Sequence, residues 1–360
     1  MAQGQRSGQK PVDLVLEGGG VKGIGLVGAL AALEAAGYES QRVAGASAGA
    51  ITAALHVAGY GAGELEDVLL TLDFRRFLDR GSEDRLPFVG TPVSILKDQG
   101  VFEGNAFLEW MRDMLARMGV RTFGDLRRDP DDHTDPVYRW KLQVVVSDLT
   151  GRRLLFLPRD ADKLGIADAD ALGVAEAVRM SMSIPIFFEP VRLKNPATGE
   201  QQVLVDGGLL SNFPVSVFDV GDTPRWPTFG LLLVEPEPRR PVADRLPRSG
   251  GAHGGVQATI DFGRSLLLTL LEAHDRMYLE QADFVRTIPI PTLGVGTVDF
   301  TIEEPRKRAL FESGRRAAEE FLADFSFEGY VAAFRTGREH SRREALVQRM
   351  RSTRSEARPA

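Results

Sequence analysis

The sequence predicts a three-layer α/β/α sandwich on a mostly parallel central sheet. Three observations predict it. Strand-like runs at Val12–Leu16 and Gln41–Ala44 enclose one helical pattern, which makes a βαβ unit. Glycine-rich turns follow both strands. Further apolar strand signals return at Gln202–Val205 and Phe229–Val234. A hydrophobic share of 43% over 360 residues gives ample core for such a fold.

Taken in order, residues 1–10 are polar, rich in Gln and Gly, and read as a flexible N-terminus without the apolar stretch of a signal peptide. The unit 11–330 is expected to form the α/β domain. Val21–Ala36 has Leu26, Leu30 and Leu33 at helical spacing, and Gly37 closes it. Ser47–Ala58 is a small apolar helix. Residues 61–135 are richer in charge and turns and read as a helical insertion over the sheet. In it Asn105 looks like the N-cap of a helix carrying Phe107, Leu108, Met111, Met114, Leu115 and Met118, a stripe that reads as core rather than as an acyl-chain channel. Strands are expected at Lys141–Ser147 and Arg153–Leu157, and a helix at Ala171–Met182. Arg239–Gly255 is a Pro- and Arg-rich loop, with helices to follow near Val256–Glu280 and Pro305–Ala323. The tail 335–360 holds eight Arg and three Glu. It reads as a solvated, partly disordered end, with binding to anionic lipid as the alternative.

Charge and composition exclude several classes. The net charge of -6 argues against a nucleic-acid partner. With no cysteine there is no disulfide, thiol nucleophile or Cys-based metal site, as suits a cytoplasmic protein. No run of about 18 apolar residues signals a spanning helix, so membrane contact would be peripheral.

Three motifs carry chemistry. Gly45-Ala46-Ser47-Ala48-Gly49 is a G-x-S-x-G, which sets a serine on a tight strand-to-helix turn with small neighbours. The helix start beneath it favours developing negative charge. Gly18-Gly19-Gly20-Val21-Lys22-Gly23 exposes backbone N–H groups at a helix start, which suits an anion. It is also a G-x-G-x-x-G, so a nucleotide-binding or regulatory module is the rival reading. That rival wants an acid at the tip of the second strand, and here the strand leads straight to Ser47. Asp206-Gly207-Gly208 follows the strand Val203–Val205, where the aspartate can be exposed and held, or can simply begin a turn.

Ser47 needs a base. Of the five histidines, His56 lies nine residues along the helix from Ser47, roughly 13 Å away. His133, His253 and His340 fall in the insertion, the loop and the tail. His274 is the best candidate for a Ser-His-Asp arrangement. The other option is a Ser47–Asp206 dyad, in which burial raises the aspartate pKa and a strong oxyanion hole compensates for a weak base.

In that order these motifs resemble the patatin-like phospholipase family, whose pattern is G-G-G-x-[R/K]-G, G-x-S-x-G and D-G-[A/G]. Gly100–Gly104, Thr122–Leu126, Ser147–Gly151 and Ser181–Phe188 are similar to further family segments, so the resemblance spans roughly residues 12 to 235. It implies Ser47 as nucleophile, Asp206 as its base and the Gly19–Gly20 backbone as oxyanion donor. It implies neither metal nor cofactor, and a phospholipid or other acyl-ester lipid as substrate. Lys22 stands where Arg is commoner. Acyl transfer to an acceptor other than water would use the same residues. Phe187 and Phe188 could flank an acyl chain, though core packing is the expected role. The sequence leaves homo-oligomerisation open.

Overall fold

The computed structural model describes residues 9–78, 100–128, 139–219, 224–235, 283 and 285–336. In chain order the strands are β1 (Lys10–Leu16), β2 (Tyr38–Gly45), β3 (Gly100–Phe102), β4 (Leu142–Asp148), β5 (Arg153–Leu157), β6 (Ile186–Phe188), β7 (Val191–Lys194), β8 (Gln201–Asp206), β9 (Thr228–Val234) and β10 (Thr287–Pro291). The helices are α1 (Ile24–Ala35), α2 (Ala48–Ala58), α3 (Ala62–Thr71), α4 (Asn105–Arg117), α5 (Val174–Ser181), α6 (Glu304–Asp324) and α7 (Phe327–Thr336). The helix expected near 256–280, the loop 239–255 and residues 337–360 of the tail lie outside the described residues.

The main sheet runs β10-β9-β1-β2-β4-β8-β7, with β5 also paired to β4. Its β10, β9, β1, β2 and β4 are mutually parallel, while β8 and β5 run antiparallel to β4. The architecture is the predicted one: a mixed, mostly parallel sheet flanked by helices. The strands begin before the apolar runs, with exposed Lys10 and Pro11 in β1 and half-buried or exposed Tyr38, Glu39 and Ser40 in β2, while within the runs charge is tolerated because it is paired. Asp13 and Arg42 are register partners across β1 and β2, and Arg42 Nε donates to Asp13 Oδ1 at 3.0 Å, fully buried. The strand β10 carries two prolines, which masks its signal, and among the described strands it pairs only with β9.

Two local expectations are corrected. The helix predicted from Val21 opens instead with a tight 3-10 turn, Gly20–Gly23, and turns α-helical at Ile24. Gly20 has φ +56°, and a Cβ there would meet Thr297 O at 1.9 Å, so only glycine fits. Asn105 is not an N-cap: Gly104 at φ +74° caps α4, and Asn105 Nδ2 donates to Glu103 Oε2 at 2.9 Å. The segment 61–135 contributes α3 and α4, and also β3, which pairs with β6 in a small separate sheet.

The core lies largely on one face of the sheet, under α1, α2, α4, α5 and α6. On the other face, Val15, Ala44 and Leu232 are covered by Phe213, Val215 and Phe218. No described helix is long and apolar enough to cross a membrane.

Candidate functional site

The three motifs meet because of how β4 is shared. Strand β5 occupies one side of β4 from Val144 to Asp148. On the other side Val144 pairs with Gly45 and Val146 with Asp206. The C-terminal ends of β2 and β8 therefore meet end to end, two β4 residues apart, roughly 7 Å. Ser47 follows one end and Asp206 closes the other. Next to β2, Leu16 of β1 is in register with Gly45, so the loop after β1 lies beside the turn after β2.

Ser47 is the N-cap of α2, with φ +50° and ψ −121°. A non-glycine residue held there costs about 1–3 kcal/mol, which surrounding packing must offset. The offset is visible. A Cβ on Gly49 would lie 2.3 Å from Leu16 O, so the turn is pressed directly onto β1. The Ser47 N–H donates to Ser181 Oγ at 2.9 Å, and the Ser181 hydroxyl donates to Val145 O at 2.6 Å.

Asp206 is 1% exposed. Its Oδ1 accepts from the Gly208 N–H at 2.8 Å, and its own N–H donates to Ser183 O at 3.0 Å. Burial pushes the carboxyl up to about 7, against the lowering pull of the Ser47 hydroxyl and the Gly208 N–H. Oδ2 is buried and has no partner of ordinary hydrogen-bond geometry. Ser47 thus stands beside the carboxyl group in a contact looser than a formed bond, and catalytic hydrogen bonds are often long before substrate binds.

The glycine loop is sorted by its own hydrogen bonds. Gly18 N–H donates to Asn212 O, Val21 N–H to Thr297 O and Lys22 N–H to Gly19 O, each at 3.2 Å. Gly19 and Gly20 donate to no atom among the described residues, which leaves their N–H groups for an anion. Asn212 holds the loop as well: its Nδ2 donates to Gly18 O at 2.9 Å and to Glu17 Oε1 at 3.2 Å. Gly23 packs against Ala48, and Gly207 against Val145 O. Ala46 is fully buried beneath the turn.

Ser47 lines two cavities. One is the more polar, about 20 Å³, and bounded among others by Glu17, Gly19, Lys22, Asp206, Asn212 and Thr297, with Ile184 and Leu233 as its apolar wall. The other is apolar, about 70 Å³, and bounded among others by Ile51, Leu69, Leu72, Phe77, Phe107, Trp110, Met182, Phe188 and Phe300. The α4 stripe divides accordingly. Phe107 faces the cavity, while Met111, Met114 and Leu115 are core. Phe188 lines the cavity and Phe187 is packed in the core.

His56 is not at the site: its Nε2 pairs with Ser40 Oγ at 2.8 Å. His133, His253, His274 and His340 lie outside the described residues. Sequence reading gave no place to Ser181, Thr297 or Phe300. Ser181 was visible only as part of a similar segment, and the other two lie in an irregular stretch after β10 with no local signal.

Comparison with known proteins bears on the family and the fold. A family model described as patatin-like phospholipase matches residues 14–219. The chain is 35% identical over 320 residues to the uncharacterized protein YqhO of Bacillus subtilis (strain 168), covering 88% of this chain and 99% of that one. Among solved structures it is similar to VipD from Legionella pneumophila, with a TM-score of 0.51 and 19% identity, covering 88% of this chain and 67% of VipD. At that identity the likeness speaks to the fold.

Proposed function

From a chain that belongs to the patatin-like phospholipase family, we infer a serine lipid acyl hydrolase that cleaves fatty acyl esters through a Ser47–Asp206 dyad. The observation that carries this reading is the position of Ser47 on the boundary between the two cavities. An apolar acyl chain fits one side, and the charged chemistry of ester cleavage fits the other.

In this mechanism the Asp206 carboxylate takes the hydroxyl proton as Ser47 Oγ attacks the ester carbonyl. A base raised to about 7 is a stronger proton acceptor than an ordinary carboxylate and is still largely ionised at pH 8. The tetrahedral oxyanion is held by the Gly19 and Gly20 N–H groups, with the α2 N-terminus adding favourable potential. The proton passes to the leaving alcohol, which departs from an acyl-enzyme. Water, deprotonated by Asp206, attacks the acyl carbonyl, and the fatty acid leaves as Ser47 recovers its proton. A substrate resident in a lipid surface makes peripheral contact with that surface part of the proposal.

The test is fluorophosphonate labelling followed by intact mass, alongside fatty-acid release from phospholipid vesicles. Wild type is expected to gain one adduct and to release fatty acid. Ser47→Ala should do neither, and Asp206→Ala should label far more slowly. Turnover that survives Ser47→Ala would sink the mechanism. An added alcohol separates hydrolysis from acyl transfer, since transfer yields a new ester.

A further inference from the structure

The nucleophile and its base come from different strands, and one short peptide touches the backbone of both. Ser181 ends α5 and is wholly buried, as is Ser183. Ser181 Oγ accepts the Ser47 N–H at 2.9 Å and passes its own hydrogen to Val145 O at 2.6 Å, on the central strand β4. Two residues later, Ser183 O accepts the Asp206 N–H at 3.0 Å. The peptide is itself fixed. The Ser183 hydroxyl donates to Arg179 O at 2.8 Å, and the buried Arg179 guanidinium donates to Ser183 Oγ, Glu103 O and Glu189 O.

We propose that Ser181 is a positioning residue that sets the Ser47 hydroxyl against Asp206. The inference rests on the Ser47–Asp206 reading above. The physical need is clear. Ser47 sits at φ +50°, a conformation that relaxes unless its peptide is held, and the bonding of β2 to β1 ends just before it, with the Ala46 N–H donating to Leu16 O at 3.4 Å. A hydroxyl suits the task because it accepts from Ser47 and donates to Val145 in one chain. Alanine at 181 leaves both the Ser47 N–H and the Val145 carbonyl without that partner in a buried place. Ser181 touches no reacting atom, so its loss should slow the chemical step without weakening substrate binding.

Ser181→Ala and Ser313→Ala are compared with wild type for melting temperature, kcat, KM and the rate of fluorophosphonate labelling. Ser313 is a matched control: it is buried and donates its hydroxyl to a backbone carbonyl, Pro291 O at 2.7 Å, on β10 away from the reacting pair. Ser181→Ala is expected to lose about 10²-fold in kcat and in labelling rate, the scale of a 1 Å misplacement, with KM within about twofold. Ser313→Ala should lose stability but keep kcat. A Ser181→Ala enzyme with wild-type kcat overturns the proposal, and so does an equal kcat loss in both variants. If Ser181→Ala does not fold, Ser181→Cys keeps the volume and weakens the acceptor: slower labelling upholds the proposal and an unchanged rate overturns it. Ser47→Ala keeps the two readings apart. If it is inactive while Ser181→Ala is normal, only the clamp fails. If it retains turnover, the dyad itself fails.

Discussion

At the residue scale the site depends on a conflict between burial and charge at Asp206. The burial that would make its carboxyl a useful base in the proposed mechanism also disfavours its ionised form. The active form in the proposed mechanism is the carboxylate. With the group raised to about 7, kcat/KM should rise with pH through that value and level off above it, which a pH–rate profile of the free enzyme reads. An acid limb near 4 would mean that the Asp206 carboxyl is not raised or is not the base. The same shift has a stability consequence. The folded pKa lies above the unfolded value of 3.8, so the folded state binds the proton more tightly between the two. The penalty for burying the charge is absent below about pH 4, grows as pH rises, and is complete above about 7, at about 4 kcal/mol at most. Asp206→Asn should therefore melt higher than wild type at pH 8, lose most of that advantage at pH 4, and be inactive at both. Thermal melts at the two pH values measure the difference.

At the scale of elements the apolar cavity is assembled from pieces that no single motif announces. Helix α3 contributes Leu69, its C-cap is Leu72, and both line the cavity. A helix C-terminus leaves carbonyls unpaired, and here they are met by a lysine from far along the chain. Lys307 of α6 is buried, and its Nζ donates to Leu69 O at 3.1 Å, Leu70 O at 3.0 Å and Leu72 O at 2.6 Å. The ammonium also sits 4.9 Å from the centre of the Phe74 ring. Lys307→Met keeps the aliphatic stem and removes the cap. It is expected to cost about 3 kcal/mol, from one charged donor shared by three carbonyls, and to raise KM for long acyl esters more than for short ones as the cavity wall loosens. Denaturant melts and a chain-length series check the two halves of the prediction. A uniform loss of kcat across chain lengths would count against the cavity as the acyl site.

At the scale of the whole molecule, the part of the chain beyond the matched segment is integral to the site. Strands β9 and β10 extend the sheet beside β1, Thr297 O accepts from Val21 in the glycine loop, and Phe300 completes the apolar cavity. Helix α6 lies against α1 at backbone contact: a Cβ on Gly314 would fall 1.8 Å from Gly25 O, and one on Gly28 would fall 1.9 Å from Phe311 O. Gly314→Val must push the two helices apart, at about 3 kcal/mol or more. Its melting temperature should fall well below that of wild type, and labelling at Ser47 should slow because α1 leads directly out of the glycine loop. Labelling at the wild-type rate in a destabilised Gly314→Val would show that loop geometry is independent of this packing.

The sequence by itself determined the local parts. The βαβ start, the turn holding Ser47, the glycine loop and the Asp-Gly-Gly turn are all written in neighbouring residues, because tight turns and helix starts demand particular small residues at fixed spacing. Tertiary structure alone decided the rest. Strand β8 runs antiparallel and meets the end of β2 along one side of β4, and pairings of Gly45 with Val144 and of Asp206 with Val146, remote in sequence, leave no periodic trace in either strand. The Ser181 bridge, the Lys307 cap and the Phe300 wall are single side chains whose partners are remote in sequence. The pKa of Asp206 belongs with them, since it is set by how completely the finished fold removes water from one carboxyl group.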